Sequence, residues 1–388
     1  MNSAAIRPPY VAIACGGTGG HLFPGLAVAG ELKRRGCDVA VLISPKDVDQ
    51  QAVKTATGVE VFTLPAVALQ NANYLPFIAS FAQSLLISWK LFLRRRPDAV
   101  LAMGGFTSAP PVLAAKDSAV KIFLHESNTI PGRSNRFLSR FVDTAFIGFP
   151  EAAARLRTKN TVVTGTPVRA QFSPPATRNP QPAIALGLDP NLPTVLVVGG
   201  SQGARGLNDL ILSALPMFAG KSWQWLHLAG AKDFELVRSA YARLGLSAVV
   251  KPFLAEMDLA LGAATACVSR AGASSLAEIA AMRLPSALVP LPTSADNHQF
   301  FNAAAFEKSG AAILLNQKHS RPEKVAAVLT GLMTDTVCRA RIQNALAQWH
   351  APNAPAEIAE HILAAIVQGS RSEAKPPVGA KMKFKIVA

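Results

Sequence analysis

Apolar runs of four to six residues alternate with amphipathic stretches along most of this chain. That alternation predicts β-α units built on parallel sheets. In the first half the strands fall near residues 10–15, 38–43, 59–62, 98–102, 119–124, 143–146 and 161–163. In the second half they fall near 194–198, 223–228, 247–250, 265–269, 286–289 and 311–314. Between the halves, residues 173–193 carry Pro174, Pro175, Pro180, Pro182, Pro190 and Pro193, and the interrupted periodicity reads as a linker. After Arg321 the pattern is helical, and Pro355 to Val367 reads as a final helix whose opening proline needs no N–H partner.

The expected fold class is therefore α/β, with two Rossmann-like doubly wound domains facing each other across a cleft. The first covers residues 1–172 and the second 194–350; residues 351–368 form a terminal helix free to pack back on the first domain. Residues 369–388 hold Arg371, Lys375, Lys381, Lys383 and Lys385 against the single acid Glu373 and read as a flexible basic tail.

Length agrees with this division, since 388 residues exceed one ordinary core at about 150 residues per domain. Charge narrows the partners. The net +15, from 39 Lys and Arg against 24 Asp and Glu, favours anionic ones such as nucleic acid or anionic lipid. Only 7% of residues are aromatic and no strand interleaves aromatic with basic positions, which weighs against nucleic acid. Cys15, Cys37, Cys267 and Cys338 show no C-x-x-C spacing and fit a reducing compartment. Arg7-Pro8-Pro9 leads straight into the first strand, so no export signal is expected.

Candidate chemistry gathers at strand ends. Gly16-Gly17-Thr18-Gly19-Gly20-His21 and Gly199-Gly200-Ser201-Gln202-Gly203-Ala204-Arg205 each follow an apolar run and precede a helix. Such loops admit close backbone approach and offer helix N-terminal amides to an anion. The first lacks the third glycine of a dinucleotide fingerprint, because position 22 is Leu22, and the second has no following Gly-Lys-Ser/Thr. Phosphate or sugar binding between the two halves is the reading left. His21, at the mouth of the cleft, is a candidate general base. His125 follows another apolar strand and has two readings, cleft histidine or loop-orienting hydrogen-bond partner. Ser269 to Glu278 spells strand, small-residue turn and helix start at Ser274 or Ser275, where amides face a pyrophosphate. Glu278 either accepts ribose hydroxyls or closes a capping box with Ser275. Asp296-Asn297-His298-Gln299 with Asn302 supplies the dense donor and acceptor set a sugar requires. Asp47-x-Asp49 has the form of a metal motif, but its place at a helix start is ordinary dipole compensation, and no metal site is assigned.

Taken together, the two glycine loops, Leu22-Phe23-Pro24, Gly104-Gly105-Phe106, His125-Glu126-x-Asn128, Thr164-Gly165-x-Pro167-Val168-Arg169 and Arg270 to Glu278 resemble the MurG family. These bacterial enzymes transfer N-acetylglucosamine (GlcNAc) from UDP-GlcNAc to undecaprenyl-pyrophosphoryl-MurNAc-pentapeptide, lipid I, giving lipid II for peptidoglycan. The likeness runs from about Val11 to Ala365. It implies the GT-B fold, with the nucleotide sugar held mainly by the carboxyl-terminal domain and the lipid-linked acceptor by the amino-terminal one.

The resemblance also implies residue roles. Ser201, Gln202 and Gly203 would meet the diphosphate, with Arg169 nearby; the backbone at Leu254 would read uracil; Glu278 would hold ribose; Ala273 and Ser274 would bind UDP-GlcNAc at the helix start; His298 and Gln299 would bind GlcNAc hydroxyls. Thr18, Gly19, Gly20 and Asn128 would also bind UDP-GlcNAc, with Asn128 lying on the acceptor side. Gly104, Gly105, Phe106, His125 and Glu126 would form the acceptor side, and His21 the catalytic base of an inverting transfer with no obligatory metal or other cofactor. Implied partners are UDP-GlcNAc, lipid I, the anionic cytoplasmic face of the inner membrane and other cell-wall synthesis proteins. Residues 74–96, apolar but broken by Pro76, Gln83 and Lys90 and closed by Arg94, Arg95 and Arg96, read either as an interfacial helix or as a helix packed on the sheet.

Two positions depart from the family pattern: Ser127 replaces the usual glutamine, and His298 stands where glutamine is common. The nearest rivals are another GT-B enzyme using UDP-GlcNAc, such as a 2-epimerase or a glycolipid transferase, and, from a different class, a non-catalytic protein closing on a ligand.

Overall fold

A computed structural model describes residues 7–54, 58–66, 74–116, 118, 120–173, 179–200 and 203–373. The first sheet holds β1 (Tyr10–Ala14), β2 (Asp38–Ile43), β3 (Glu60–Thr63), β4 (Ala99–Ala102), β5 (Lys121–Glu126), β6 (Thr144–Ile147) and β7 (Thr161–Val163). The second holds β8 (Thr194–Val198), β9 (Gln224–Leu228), β10 (Ala248–Lys251), β11 (Ala266–Ser269), β12 (Ser286–Leu288) and β13 (Ile313–Leu314). Every pairing is parallel, in the orders β3-β2-β1-β4-β5-β6-β7 and β10-β9-β8-β11-β12-β13. The expected pair of doubly wound domains is what the chain forms.

Each order reverses once, between β1 and β4 and between β8 and β11. Crossovers leave in opposite directions there, so a crevice opens beyond the strands' carboxyl ends. The Gly16–Thr18 and Gly104-Gly105 turns lie at the first switch point, and Gly199-Gly200, Gly203-Ala204 and the Arg270–Gly272 turn at the second.

Core packing follows strand alternation. In the first sheet Val11, Ile13, Val41 and Ile43 bury on one face, while Ala12, Ala14, Leu42 and Val100 bury on the other. The helix Ala354–Glu373 returns to this domain, burying Ile358, Ala359 and Ile362 among the first set. It runs beyond the expected stop at Val367, through Gly369, because no proline interrupts it before Pro376. Residues 374–388 lie outside the described residues.

Within the expected linker, Gln181–Ala185 forms a short helix. Pro180 and Pro182 start it, where a missing N–H costs nothing, so proline punctuation here marks a helix entry as well as a break.

Candidate active site

The turn after β1 is held by side chains from three directions. Gly17 adopts φ +108°. Its N–H donates to Asp49 Oδ2 at 2.6 Å, its carbonyl accepts from Lys46 Nζ at 2.7 Å, and the Gly16 carbonyl accepts from Thr107 Oγ1 at 2.5 Å. Asp49 is thus occupied as a loop brace. The helix Gly19–Arg34 then begins, carrying His21 on its first turn.

The imidazole of His21 is half-buried, with Nδ1 3.1 Å from Thr18 Oγ1. A Cβ on Gly104 would fall 3.0 Å from its Nε2 and one on Gly105 3.1 Å from its Nδ1, at φ +108° and +77°. Only glycine lets this backbone lie against the ring without strain. Phe106 lies beside Gly17, with Lys46 Nζ 5.4 Å from its ring centroid. Burial pushes the His21 pKa down to about 4; Asp49 opposes the shift, while His298 across the cleft and Lys46 add to it. The ring is therefore neutral near pH 7, as a proton acceptor must be.

Beneath this surface His125 is fully buried, its Nε2 3.0 Å from the Gly165 carbonyl and its Nδ1 3.3 Å from Ser127 Oγ. One tautomer satisfies both contacts: Nε2–H donates and Nδ1 accepts. Glu126 is buried as well, accepting from Asn128 N–H and Nδ2 and from Gly132 N–H and Asn135 Nδ2. Burial raises its pKa although all four bonds oppose the shift. Both covered side chains thus orient neighbouring loops through hydrogen bonds.

The two domains meet through specific polar contacts. Pro24 lacks the N–H that would close a helical bond to the Gly20 carbonyl. Ser274 Oγ, from the other domain, donates to that carbonyl at 2.9 Å. Asn302, fully buried, accepts from Thr129 N–H and Oγ1 and donates to Asn128 Oδ1 and the Ala271 carbonyl. Arg136 and Arg133 pair with Asp296, in a turn where Asp296 and Asn297 both take positive φ, 49° and 54°.

On the carboxyl-terminal side, the helix Ala273–Ala281 opens at Gly272 with no side-chain cap. Ser275 therefore lies inside the helix and the capping-box alternative for Glu278 is not formed. Glu278 is instead 3.8 Å from Arg169, whose guanidinium stacks 4.3 Å from the Phe23 ring centroid. Burial lifts the Glu278 pKa to about 7 against the pull of Arg169.

A cavity of about 410 Å³ opens beside this helix, lined by Gly199, Gly203, Arg205, Arg270, Gln299 and Lys318 among others. Gly203, at φ +73°, passes so close to the Ala229 carbonyl that a Cβ would lie 2.8 Å from it. Three cations and no carboxylate line the cavity. Gln299 Oε1 accepts from the Ala271 and Leu291 amides, and His298 Nδ1 lies 2.8 Å from the Ala295 carbonyl, the pairing of an Nδ1–H donor that leaves Nε2 as an acceptor. Leu254 is half-buried just past β10. Ser201 and Gln202 lie outside the described residues.

Sequence reasoning did not single out Arg270 as a site residue. It is 6% exposed, bonded through Nη1 to the Val289 and Pro290 carbonyls, and its Nε has no partner among the described residues. No carboxylate pairs with it among them, which suits an anion arriving from the cavity. A lone arginine directly after an apolar strand was the available signal.

Comparison with known proteins accords with this geometry. The glycosyltransferase family 28 N-terminal domain matches residues 11–147, and the family 28 C-terminal domain matches residues 194–357. A UDP-N-acetylglucosamine--N-acetylmuramyl-(pentapeptide) pyrophosphoryl-undecaprenol N-acetylglucosamine transferase of Anaeromyxobacter sp. (strain Fw109-5) is 34% identical over 359 residues, 90% of this chain and 91% of its own length. The chain belongs to the MurG family.

The like-named transferase of Xanthomonas euvesicatoria is 35% identical over 379 residues, covering 97% of this chain and 84% of its own. Among solved structures, MurG of Acinetobacter baumannii superposes with TM-score 0.71 at 26% identity, over 92% of this chain and all of that one. A putative UDP-N-acetylglucosamine 2-epimerase from Listeria monocytogenes has TM-score 0.68 at 14% identity, over 96% of this chain and 99% of its own, and shares the fold alone.

Proposed function

We propose that this enzyme transfers GlcNAc from UDP-GlcNAc to the MurNAc 4-hydroxyl of lipid I, forming lipid II with inversion at the anomeric carbon. Relatives bearing that activity in their names at about one-third identity over most of the chain support the reading. The observation that carries the chemistry is the arrangement across the cleft: a neutral, backbone-packed imidazole on one lip and a cation-lined cavity at a helix N-terminus on the other.

In this mechanism the acceptor oxygen attacks C1 from the face opposite UDP. His21 Nε2 takes its proton, with Nδ1–H donating to Thr18 Oγ1. Negative charge building on UDP is met by the amides opening the helices Arg205–Ala214 and Ala273–Ala281, and by Arg169 and Arg270. Ser201 and Gln202 join that anion site, Leu254 borders uracil, Glu278 accepts the ribose hydroxyls, and His298 and Gln299 bind GlcNAc. Charge supplied in this way makes a divalent metal unnecessary, so turnover should persist in chelator.

The acceptor's lipid tail gives the helix Tyr74–Arg94 its role. Ser84 and Ser88 face inward, and Ile87, Leu91 and Phe92 pack on the sheet. The opposite face exposes Leu75, Ile78, Leu86, Trp89 and Leu93, with Leu75 80% exposed. A helix seated on the sheet along one side lies in the interface rather than crossing it. This apolar face, with Lys90, Arg94 and Arg96 exposed at its edge, supports peripheral attachment to an anionic membrane surface, which we read as the cytoplasmic face.

The deciding experiment uses labelled UDP-GlcNAc and a lipid I analogue, with and without chelator. Acceptor-dependent GlcNAc transfer is expected; product formed from UDP-GlcNAc alone would assign an epimerase. His21→Ala should lower turnover by roughly 10²- to 10⁴-fold with UDP-GlcNAc affinity retained, and unchanged turnover would place the base elsewhere.

A further inference from the structure

The buried carboxylate of Asp49 has no part in the chemistry described so far. It lies in the helix Asp47–Val53 and is fully buried. Its Oδ2 accepts from Gly17 N–H at 2.6 Å, Ser44 N–H at 3.2 Å and Ser44 Oγ at 2.5 Å, while Oδ1 has no partner among the described residues. Three donors on one oxygen suit an ionised carboxylate, which only accepts. No lysine or arginine pairs with it among the described residues. Lys46, the nearest candidate by sequence, instead donates to the Gly17 carbonyl. A helix-start aspartate serving its own dipole would bond first-turn amides of its own helix; this one reaches a residue 32 positions away.

We propose that Asp49 is a positioning residue for His21, fixing the turn that carries it and supplying the negative charge that stabilises its imidazolium. The proposal rests on the reading of His21 as base. In the transfer, the acceptor O–H electrons form the new bond to C1, the C1–O bond to the diphosphate breaks with its electrons leaving on UDP, and the proton arrives on His21 Nε2. The ring then holds a positive charge in a half-buried setting, which is unfavourable unless a negative group lies near. Asp49, bonded to the Gly17 amide four residues before the ring, favours the charged form. Lys46 from the β2 loop and His298 from the opposite domain oppose it, His125 of β5 is neutral, and the Gly104-Gly105 turn brings no charge.

Asp49→Asn separates charge from shape, since the carboxamide oxygen still accepts from Gly17 and Ser44. With the lipid I analogue, kcat should fall by roughly tenfold or more, with KM for UDP-GlcNAc unchanged. In His21→Ala, adding Asp49→Asn should cause no further loss, and the His21 ring resonance should titrate at lower pH in Asp49→Asn than in the parent. A scaffold-only role predicts parent kcat and titration for Asp49→Asn, with damage confined to the thermal melt of Asp49→Ala; that result overturns the proposal. If His21→Ala itself keeps full turnover, it is the base assignment that has failed.

Discussion

Glu278 makes the nucleotide-sugar site sensitive to pH in a way that can be worked from the structure. Its carboxyl is nearly covered, and burial outweighs Arg169 at 3.8 Å, lifting its pKa from the ordinary 4.5 to about 7. Ribose hydroxyls donate, so the ionised form binds and the protonated form competes with it. With a pKa of about 7, roughly nine-tenths of the sites are ionised at pH 8 and one-tenth at pH 6, so UDP-GlcNAc affinity should fall about tenfold over that range. The ligand's diphosphate is a diester without a secondary ionisation there, so the slope belongs to the protein. Binding near pH 6.5 should therefore release protons, which titration calorimetry in buffers of different ionisation enthalpy measures directly. Glu278→Gln, fixed in the un-ionised state, should bind about 10- to 150-fold more weakly at pH 8, the equivalent of one hydrogen bond to a charged group, and should lose the pH slope. Equal parent affinity at pH 6 and pH 8, or a Gln variant that keeps the slope, would refute the reasoning. The same shift has a stability sign: a raised carboxyl stabilises the ligand-free fold at low pH, and that contribution is lost as pH rises through about 7.

Further outcomes follow from other parts of the molecule. Arg94→Glu with Arg96→Glu should weaken binding to anionic vesicles by about 1 kcal/mol or more per charge; Arg95→Glu should mainly lower the melting temperature, because Arg95 pairs with Asp38 and Glu60 and stacks 4.0 Å from the Tyr10 ring centroid. Unchanged vesicle binding for Arg94→Glu with Arg96→Glu would dismiss the membrane reading. His227, fully buried between Tyr241 and Asn208, has its pKa lowered by burial to about 3, so it remains neutral when folded and takes a proton only on unfolding. Its contribution to stability is complete above about pH 6.5 and declines as pH falls. Between pH 7.5 and pH 5, urea titrations should show His227→Gln losing about 2 kcal/mol less than the parent, and parallel losses would contradict the assignment.

What could be read from the chain, and what could not, divides by the range of the interaction. The strands and glycine turns were legible because their causes are local: an apolar run covered on both faces, or a backbone that must take positive φ as Gly17 and Gly203 do. The candidate cleft was legible because strand alternation fixes a doubly wound order and that order fixes where loops converge. Partner-dependent roles were not. Asp47-x-Asp49 reads locally as a helix start, and the brace from Asp49 to Gly17, 32 positions away, has no local signal. Glu278 fits a ribose ligand or a capping box until the helix is seen to begin at Ala273, with Gly272 as its N-cap. Arg95 is indistinguishable by type from Arg94 and Arg96, yet Asp38 and Glu60 retain it within the fold. Pro24 lies between these cases. Its missing N–H predicts an unpaired carbonyl at Gly20, but nothing local supplies the donor; Ser274, 254 positions away, does so only when the domains face each other. A proline inside the helix that carries the candidate base thus leaves one acceptor, one residue before His21, that a side chain of the opposite domain satisfies.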